Sequence, residues 1–153
     1  MSEAESWYWQ TTWSDFRRGS ARLRMRWSGG SAEVLVYDEG VPLTSVALLN
    51  KLPLSLPMVH VAWSGDMLMG ARPVDIDVSA AENLTRLVRP GDVAFDPKYN
   101  EITVTYGAAE AKLPSGPNTL TVFATVVSGL DEFARWARAR RFEGVGTVTF
   151  DHS

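Results

Sequence analysis

The chain has 153 residues, 45% hydrophobic and 22% charged, with fifteen basic against eighteen acidic side chains and a net charge of −3. That mixture suits one globular domain burying about 68–70% of its unfolded surface, and the acidic balance excludes nucleic acid and an anionic membrane as expected partners. With no cysteine and only His60 and His152, disulfides, iron–sulfur clusters, zinc ribbons, a cysteine nucleophile and a histidine-rich metal centre are excluded, and no cofactor is expected.

Residues 1–20 read as an aromatic N-terminal arm, and 21–153 as the folded domain. Trp7, Tyr8, Trp9, Trp13 and Phe16 crowd one short stretch. Trp9, Trp13 and Phe16 fit a helical face, whereas Trp7 and Trp9 alternate as in a strand, so periodicity leaves both open. Arg22 to Trp27 then alternates arginines with Leu23, Met25 and Trp27, a half-buried strand. Ser28-Gly29-Gly30-Ser31 turns the chain, and Glu33 to Tyr37 returns it as a hairpin. A helix is predicted over about 44–51, with Leu43, Val46, Ala47 and Asn50 on one stripe and Pro53 and Pro57 as stops. Val59 to Trp63 is a strand, Ser64-Gly65-Asp66 a turn, and Met67 to Met69 the returning strand. Residues 72–90 carry a mixed pattern. Val93 to Phe95 is a short strand, and Asp96 to Asn100 a turn set by Pro97. Glu101 to Tyr106 alternates again.

Leu113 to Asn118 is a loop, and Thr119 to Val127 is apolar on both faces, as a central strand is. Ser128 with Asp131 three residues on predicts a capped helix start, and the helix runs 130–141 with Leu130, Phe133, Ala134 and Ala137 buried. Its acids stand at the start and its arginines at the end, each sign matching the helix dipole. Gly144 stops it, and Val145 to Phe150 closes the chain as a strand. Short antiparallel strands, two short helices and no βαβ alternation predict a mainly β fold. The expected architecture is a closed or nearly closed antiparallel barrel of about eight strands. No apolar run approaches the ~20 residues of a membrane-spanning helix, and Met1 to Ser6 lacks a signal-peptide pattern. A cytoplasmic location with no membrane partner is expected.

The order of these pieces resembles the cyclophilin fold. A hairpin ends in Tyr37-Asp38-Glu39-Gly40-Val41-Pro42-Leu43-Thr44 before a helix. Phe123-Ala124-Thr125-Val126-Val127-Ser128-Gly129-Leu130-Asp131 leads from a late strand into the next. Over Arg22 to Phe150 the chain is similar to the small bacterial cyclophilin-like proteins of unknown function. Leu52-Pro53-Leu54, Trp63-Ser64-Gly65-Asp66 and Gly91-Asp92-Val93-Ala94-Phe95 match most closely. True prolyl isomerases of this fold carry a Phe-His-Arg strand and a Gln-Gly-Gly segment. Here Met58 to Trp63 holds no arginine, and Ser64-Gly65-Asp66 stands in place of Gln-Gly-Gly. Pro117-Asn118-Thr119 occupies the place of the family's substrate-facing Trp and His. The resemblance therefore implies the fold without isomerase activity.

His60 is the one mid-chain group that titrates near neutral pH; Asp66 stands across the turn to orient it. Either residue also has a structural reading, as a backbone-bonded histidine and a turn carboxylate. Trp63 reads as rim packing or a stacking platform, Tyr99 as a pocket-mouth or exposed turn residue, and Asn118 as a ligand contact or loop cap. Asp75 and Asp77 flank Ile76 as a pair that solvates more often than it catalyses. Arg22, Arg24 and Arg26 read as a solvent face. The favoured reading is a binding module whose pocket, formed by His60, Trp63, Asp66, Tyr99 and Asn118, holds a small molecule or peptide. The alternative is an enzyme on a small amide- or carboxyl-containing metabolite with His60 as acid/base. The aromatic arm predicts a homodimer with the arm in its interface; folding back on its own barrel is the other outcome.

Overall fold

The computed structural model describes residues 15–78 and 82–153. The arginine alternation becomes β1 (Ala21–Trp27), with Leu23, Met25 and Trp27 buried and the arginines outward. A two-residue turn leads to β2 (Gly30–Val36), paired antiparallel with Leu23 opposite Val34 and Met25 opposite Ala32. Then follow α1 (Pro42–Leu49), β3 (Leu54–His60) and β4 (Gly65–Gly70). After the two-residue β5 (Leu84–Thr85) come β6 (Asp92–Asp96) and β7 (Glu101–Ala109). The short β8 (Lys112–Leu113) and β9 (Gly116–Pro117) pair only with each other. The chain finishes with β10 (Leu120–Ser128), α2 (Leu130–Glu143) and β11 (Gly146–His152).

Hydrogen bonding runs β2-β1-β11-β3-β4-β7-β6-β10, and β10 pairs back onto β2 with Ala124 opposite Val36. The ring is an eight-stranded antiparallel barrel, closed as the sequence predicts, and closure leaves those strands no free edge. β5 adds two residues to β10 outside the ring. The inward residues of every strand fill the barrel; Met25, Val34, Met58, Leu68, Val104 and Val148 are each 0% exposed. No helix of the described residues is long and apolar enough to cross a membrane.

Several local expectations are corrected. The stripe of Leu43, Val46, Ala47 and Asn50 is not the buried face of α1. Leu43 and Val46 are half-exposed, while Thr44, Ser45 and Leu48 are buried. The polar pair goes inside because its hydrogen bonds are made. Glu82 accepts from the Thr44 amide at 2.6 Å and from its hydroxyl at 2.8 Å, and Ser45 Oγ donates to the Tyr37 carbonyl. Glu82 thus caps a helix that has no cap of its own, and its charge suits the helix start.

Pro57 stops no helix; it lies inside β3 opposite Thr147 of β11. Its carbonyl accepts from Ala71 N at 2.7 Å, on the side away from β11. Its missing N–H falls on that same side, where pairing with β4 begins only at Met58, so no ladder bond is lost. β3 ends at His60, and Val61 to Ser64 form the turn, with Ser64 N donating to Val61 O.

At α2, Ser128 is not the cap. Gly129 takes that position at φ 86°, with no side-chain cap bond. A Cβ there would lie 2.8 Å from the Ser31 carbonyl, so a glycine is needed both for its backbone and for the close approach. Phe133 and Ala137 are the fully buried residues of α2; Leu130 and Ala134 are half-buried. Phe133 meets Trp27 edge-on at 5.2 Å and Trp136 at 5.8 Å, closing one barrel end.

Residues 15–20 pack on the barrel. Phe16 is buried edge-on to Tyr37 at 6.1 Å, and Arg17 pairs with buried Asp92 through two bonds of 2.9 and 3.0 Å. Trp7, Tyr8, Trp9 and Trp13 lie outside the described residues.

Candidate ligand site

Strand alternation decides which way His60 points. It sits opposite Leu68, which in turn faces Val104 across β4 and β7, so all three share the barrel-filling face. At the end of β3 that face meets α2, and the wall changes from apolar to polar. His60 Nε2 and Tyr106 Oη are 2.6 Å apart, with the rings edge-on. The Arg138 guanidinium lies over the Tyr106 ring at 5.6 Å. Asp66 stands beside Gly107, where a Cβ would fall 2.4 Å from Asp66 Oδ2.

Burial holds the His60 imidazole below its ordinary value; the charge of Arg141 adds to this and that of Asp66 opposes it. The ring is therefore mostly neutral at pH 7. Burial raises the Tyr106 hydroxyl, Asp66 reinforcing it and the two arginines opposing, so the phenol keeps its proton. A neutral imidazole on a protonated phenol passes or orients a proton; it is not a charged pair. His60 Nδ1 is buried with no partner, leaving one ring nitrogen unsatisfied in either tautomer, a cost of about 1–3 kcal/mol.

This arrangement fixes a pH dependence. Because the folded state holds His60 below its unfolded value, the unfolded chain binds the proton more readily. Stability is therefore complete above the ordinary histidine value and falls as pH drops through it toward the lower folded value. Urea midpoints measured between pH 7.5 and 5.5, about a unit either side of the free imidazole, will fall more steeply for the wild type than for His60→Gln. Parallel slopes would show that His60 titrates normally.

Beside His60 opens a cavity of about 430 Å³, walled by Val59, Ala62, Arg140, Arg141, Phe142 and Val145. Arg140 is occupied: it lies over Trp136 at 4.7 Å, bonds the Trp136 carbonyl and pairs with Glu143 at 2.8 Å. Arg141 has no carboxylate partner among the described residues. Phe142 is 85% exposed and Val145 is 58% exposed.

The five sequence candidates do not meet in one pocket. The turn after β3 carries Trp63 to the outer face, away from His60. There Trp63 Nε1 and Ser64 Oγ both donate to the Lys112 carbonyl, at 3.0 and 3.2 Å. Asn118 is on that same side, donating to buried Asp96 at 2.9 Å, and Lys98 pairs with Asp96 at 3.2 Å. The void between them is about 30 Å³, room for roughly one water. Burial, with the Asp96 charge behind it, raises the Glu101 carboxyl beside it. Tyr99 is half-exposed on the turn after β6 and lines neither cavity. Asp66 alone stays near His60, through Tyr106. Asp75 and Asp77 are both exposed, on either side of buried Ile76.

Sequence reasoning missed Tyr106, Arg141, Phe142 and Val145. Tyr106 shares the parity of Ile102 and Val104, so the alternation pointed it inward beside His60. The arginines at the end of α2 were accounted for by the helix dipole, and pairing across β3 and α2 leaves no trace in local pattern.

Among solved structures the chain is similar to the solution structure of the hypothetical protein AF2241 from Archaeoglobus fulgidus. Identity is 21% and the TM-score 0.61, covering 90% of this chain and 98% of that one. It is similar also to McbB in complex with tryptophan, at 16% identity and a TM-score of 0.67, covering 86% of this chain and 44% of that one. The chain thus spans less than half of McbB, and likeness at these identities establishes the fold alone. No curated protein matches it. The family described as "Protein of unknown function (DUF3830)" matches residues 23–152. That range takes in nearly the whole barrel and α2, and the chain belongs to this family.

Proposed function

We propose that the protein is a small-ligand-binding module of cyclophilin-like type, and that the cavity beside His60 is its ligand site. The observation that carries this is the cavity itself. Its 430 Å³ lies in the range of small-molecule pockets, and it combines apolar walls with the neutral His60 and a guanidinium, Arg141, that has no carboxylate partner among the described residues. A cytoplasmic address is part of the proposal, tested by cell fractionation.

A thermal-shift screen of small metabolites tests the site, since a ligand that binds only the folded state raises Tm with concentration. Ala62 is exposed on the cavity wall, so Ala62→Trp fills the space without disturbing the core. Hits lost in Ala62→Trp support the site; hits unaffected by it place the ligand elsewhere.

Prolyl isomerase activity is not expected. The outer void holds Val61, Met67 and Met69, and no arginine lines it among the described residues. In a coupled tetrapeptide assay the protein will not exceed the uncatalysed rate, and turnover like that of a true cyclophilin would overturn the reading.

A homodimer remains our reading of the aromatic arm, with the arm contributing to the interface and an arm folded back on its own barrel as the other outcome. Supporting it is a groove of about 530 Å³ along Pro42, Leu43, Val46, Ala47 and Ile76. Burying one aromatic side chain contributes roughly 1.5–3 kcal/mol. Light scattering on the full chain and on a version lacking residues 1–14 decides it. A monomeric full chain, or a dimer that survives the deletion, removes the arm from any interface.

A further inference from the structure

We propose that the ligand of the His60 cavity is a carboxylate monoanion with an apolar body, its charge taken by Arg141. The inference rests on that cavity being the ligand site and goes on to name what it selects.

One feature of the wall points to an anion, and two others limit its charge. Of the two arginines lining the cavity, Arg140 is spent on Trp136 and Glu143, while Arg141 faces no carboxylate among the described residues. A planar guanidinium with free donors suits a carboxylate in a two-bond fork. The other polar side chain on the wall, His60, is neutral and held by Tyr106, so it adds no charge. The cavity also lies at the end of α2, whose last carbonyls carry about half a negative charge. That field sets an upper limit: one guanidinium against a helix C-terminus supports one negative charge better than two. A phosphate monoester, near −2 at neutral pH, is therefore disfavoured relative to a carboxylate.

The rest of the wall is apolar. Val59, Ala62, Phe142 and Val145 line it, and Phe142 and Val145 are largely exposed while the cavity is open. Exposed side chains of this kind, next to a lone cation, fit a ligand with a compact hydrophobic or aromatic body beyond its acid group. The charged groups on the cavity wall are Arg140 and Arg141 from α2, while Arg138 from α2 and Asp66 from β4 act on Tyr106 behind His60. Asp66 pairs with none of the arginines. Its negative charge reaches the His60–Tyr106 side of the site, which directs a carboxylate toward Arg141.

The probes are 3-phenylpropionate, its neutral amide 3-phenylpropionamide, and phenyl phosphate, which share one aromatic ring. Binding is followed by amide chemical shifts of Val59, Phe142 and Val145 on titration of the full chain. The acid is expected to bind at least tenfold tighter than the amide, a difference of about 1.4 kcal/mol. Arg141→Ala should abolish that preference, Arg141→Lys should keep part of it, and Arg135→Ala on the same helix should leave it intact. Melting curves of each variant show that the fold survives, as expected for exposed positions.

Equal binding of acid and amide would overturn the carboxylate assignment while leaving the cavity as a ligand site. Phenyl phosphate binding more tightly than the propionate would overturn the single-charge argument. If none of the probes shifts these amides at millimolar concentration, the assignment is wrong. A neutral hit from the metabolite screen that Ala62→Trp abolishes would then keep the site without its anion.

Discussion

Replacing Asp92 with alanine is expected to lower folding stability by about 3–5 kcal/mol, the loss seen when one member of a buried ion pair is removed. Asp92 is 1% exposed and takes both terminal nitrogens of Arg17, while its second oxygen also accepts from Arg89 N at 2.8 Å. Arg17 gives a further bond to the Tyr37 hydroxyl at 3.1 Å and lies over the Phe16 ring at 4.9 Å. Burial alone would lower the Arg17 guanidinium, yet the bonds and charge of Asp92, with Tyr37 behind, hold it above its ordinary value. The variant leaves that charge buried with nothing opposite it. The comparison is Arg24→Ala, which removes an exposed pair with Glu33 and should cost at most about 1 kcal/mol. Urea denaturation with unchanged slope measures both. Equal small losses would mean that water reaches Arg17 freely.

The second large effect is at the barrel's closed end. Phe133→Ala is expected to cost about 3–5 kcal/mol. The ring is 0% exposed and is held between Trp27 and Trp136, so its removal leaves a cavity that two large, mutually packed indoles cannot collapse to fill. Phe133→Leu keeps most of the volume and should cost less than about 1.5 kcal/mol. Because α2 also carries Arg141, the alanine variant should weaken ligand binding along with Tm, although Phe133 does not line the cavity. A loss below that of the leucine variant would show that Trp27 and Trp136 close the end without it.

The barrel was legible because its strands obey a period of two. Arg22 to Trp27, Glu101 to Tyr106 and the doubly apolar run before Gly129 each state which side is buried, and the antiparallel order follows from the turns between them. The helices were read less well, for physical reasons. In α1 the apolar stripe faces solvent, since Thr44 and Ser45 are satisfied by Glu82 and the Tyr37 carbonyl, partners at distances in sequence that no local pattern reports. At α2 a glycine in the left-handed region displaced the serine that capping rules favour, because the Ser31 carbonyl leaves no room for a side chain. The site was legible at a single residue. His60 stood out as an ionisable group among apolar neighbours, but its partners come from β7 and α2. Trp63, three residues from it on paper, is turned to the opposite side by a strand that ends three residues early, and Asn118 is held on that side by Asp96.

The position of β11 in the ring has a consequence for how the protein is made. β11 is the last strand described, yet it is seated between β1 and β3, and its ion pair from Arg26 to Asp151 joins residues 125 positions apart. Such pairings are slow, placing barrels of this kind in the millisecond-to-second range of folding times. On the ribosome, every residue through Glu143 is polymerised while β1 and β3 still present bare rows of N–H and C=O groups. Those rows are templates for any extended chain nearby, and neighbouring nascent copies supply a matching β11. The hazard to yield is therefore greatest before the final strand emerges, and it falls on the protein in translation rather than on the finished barrel.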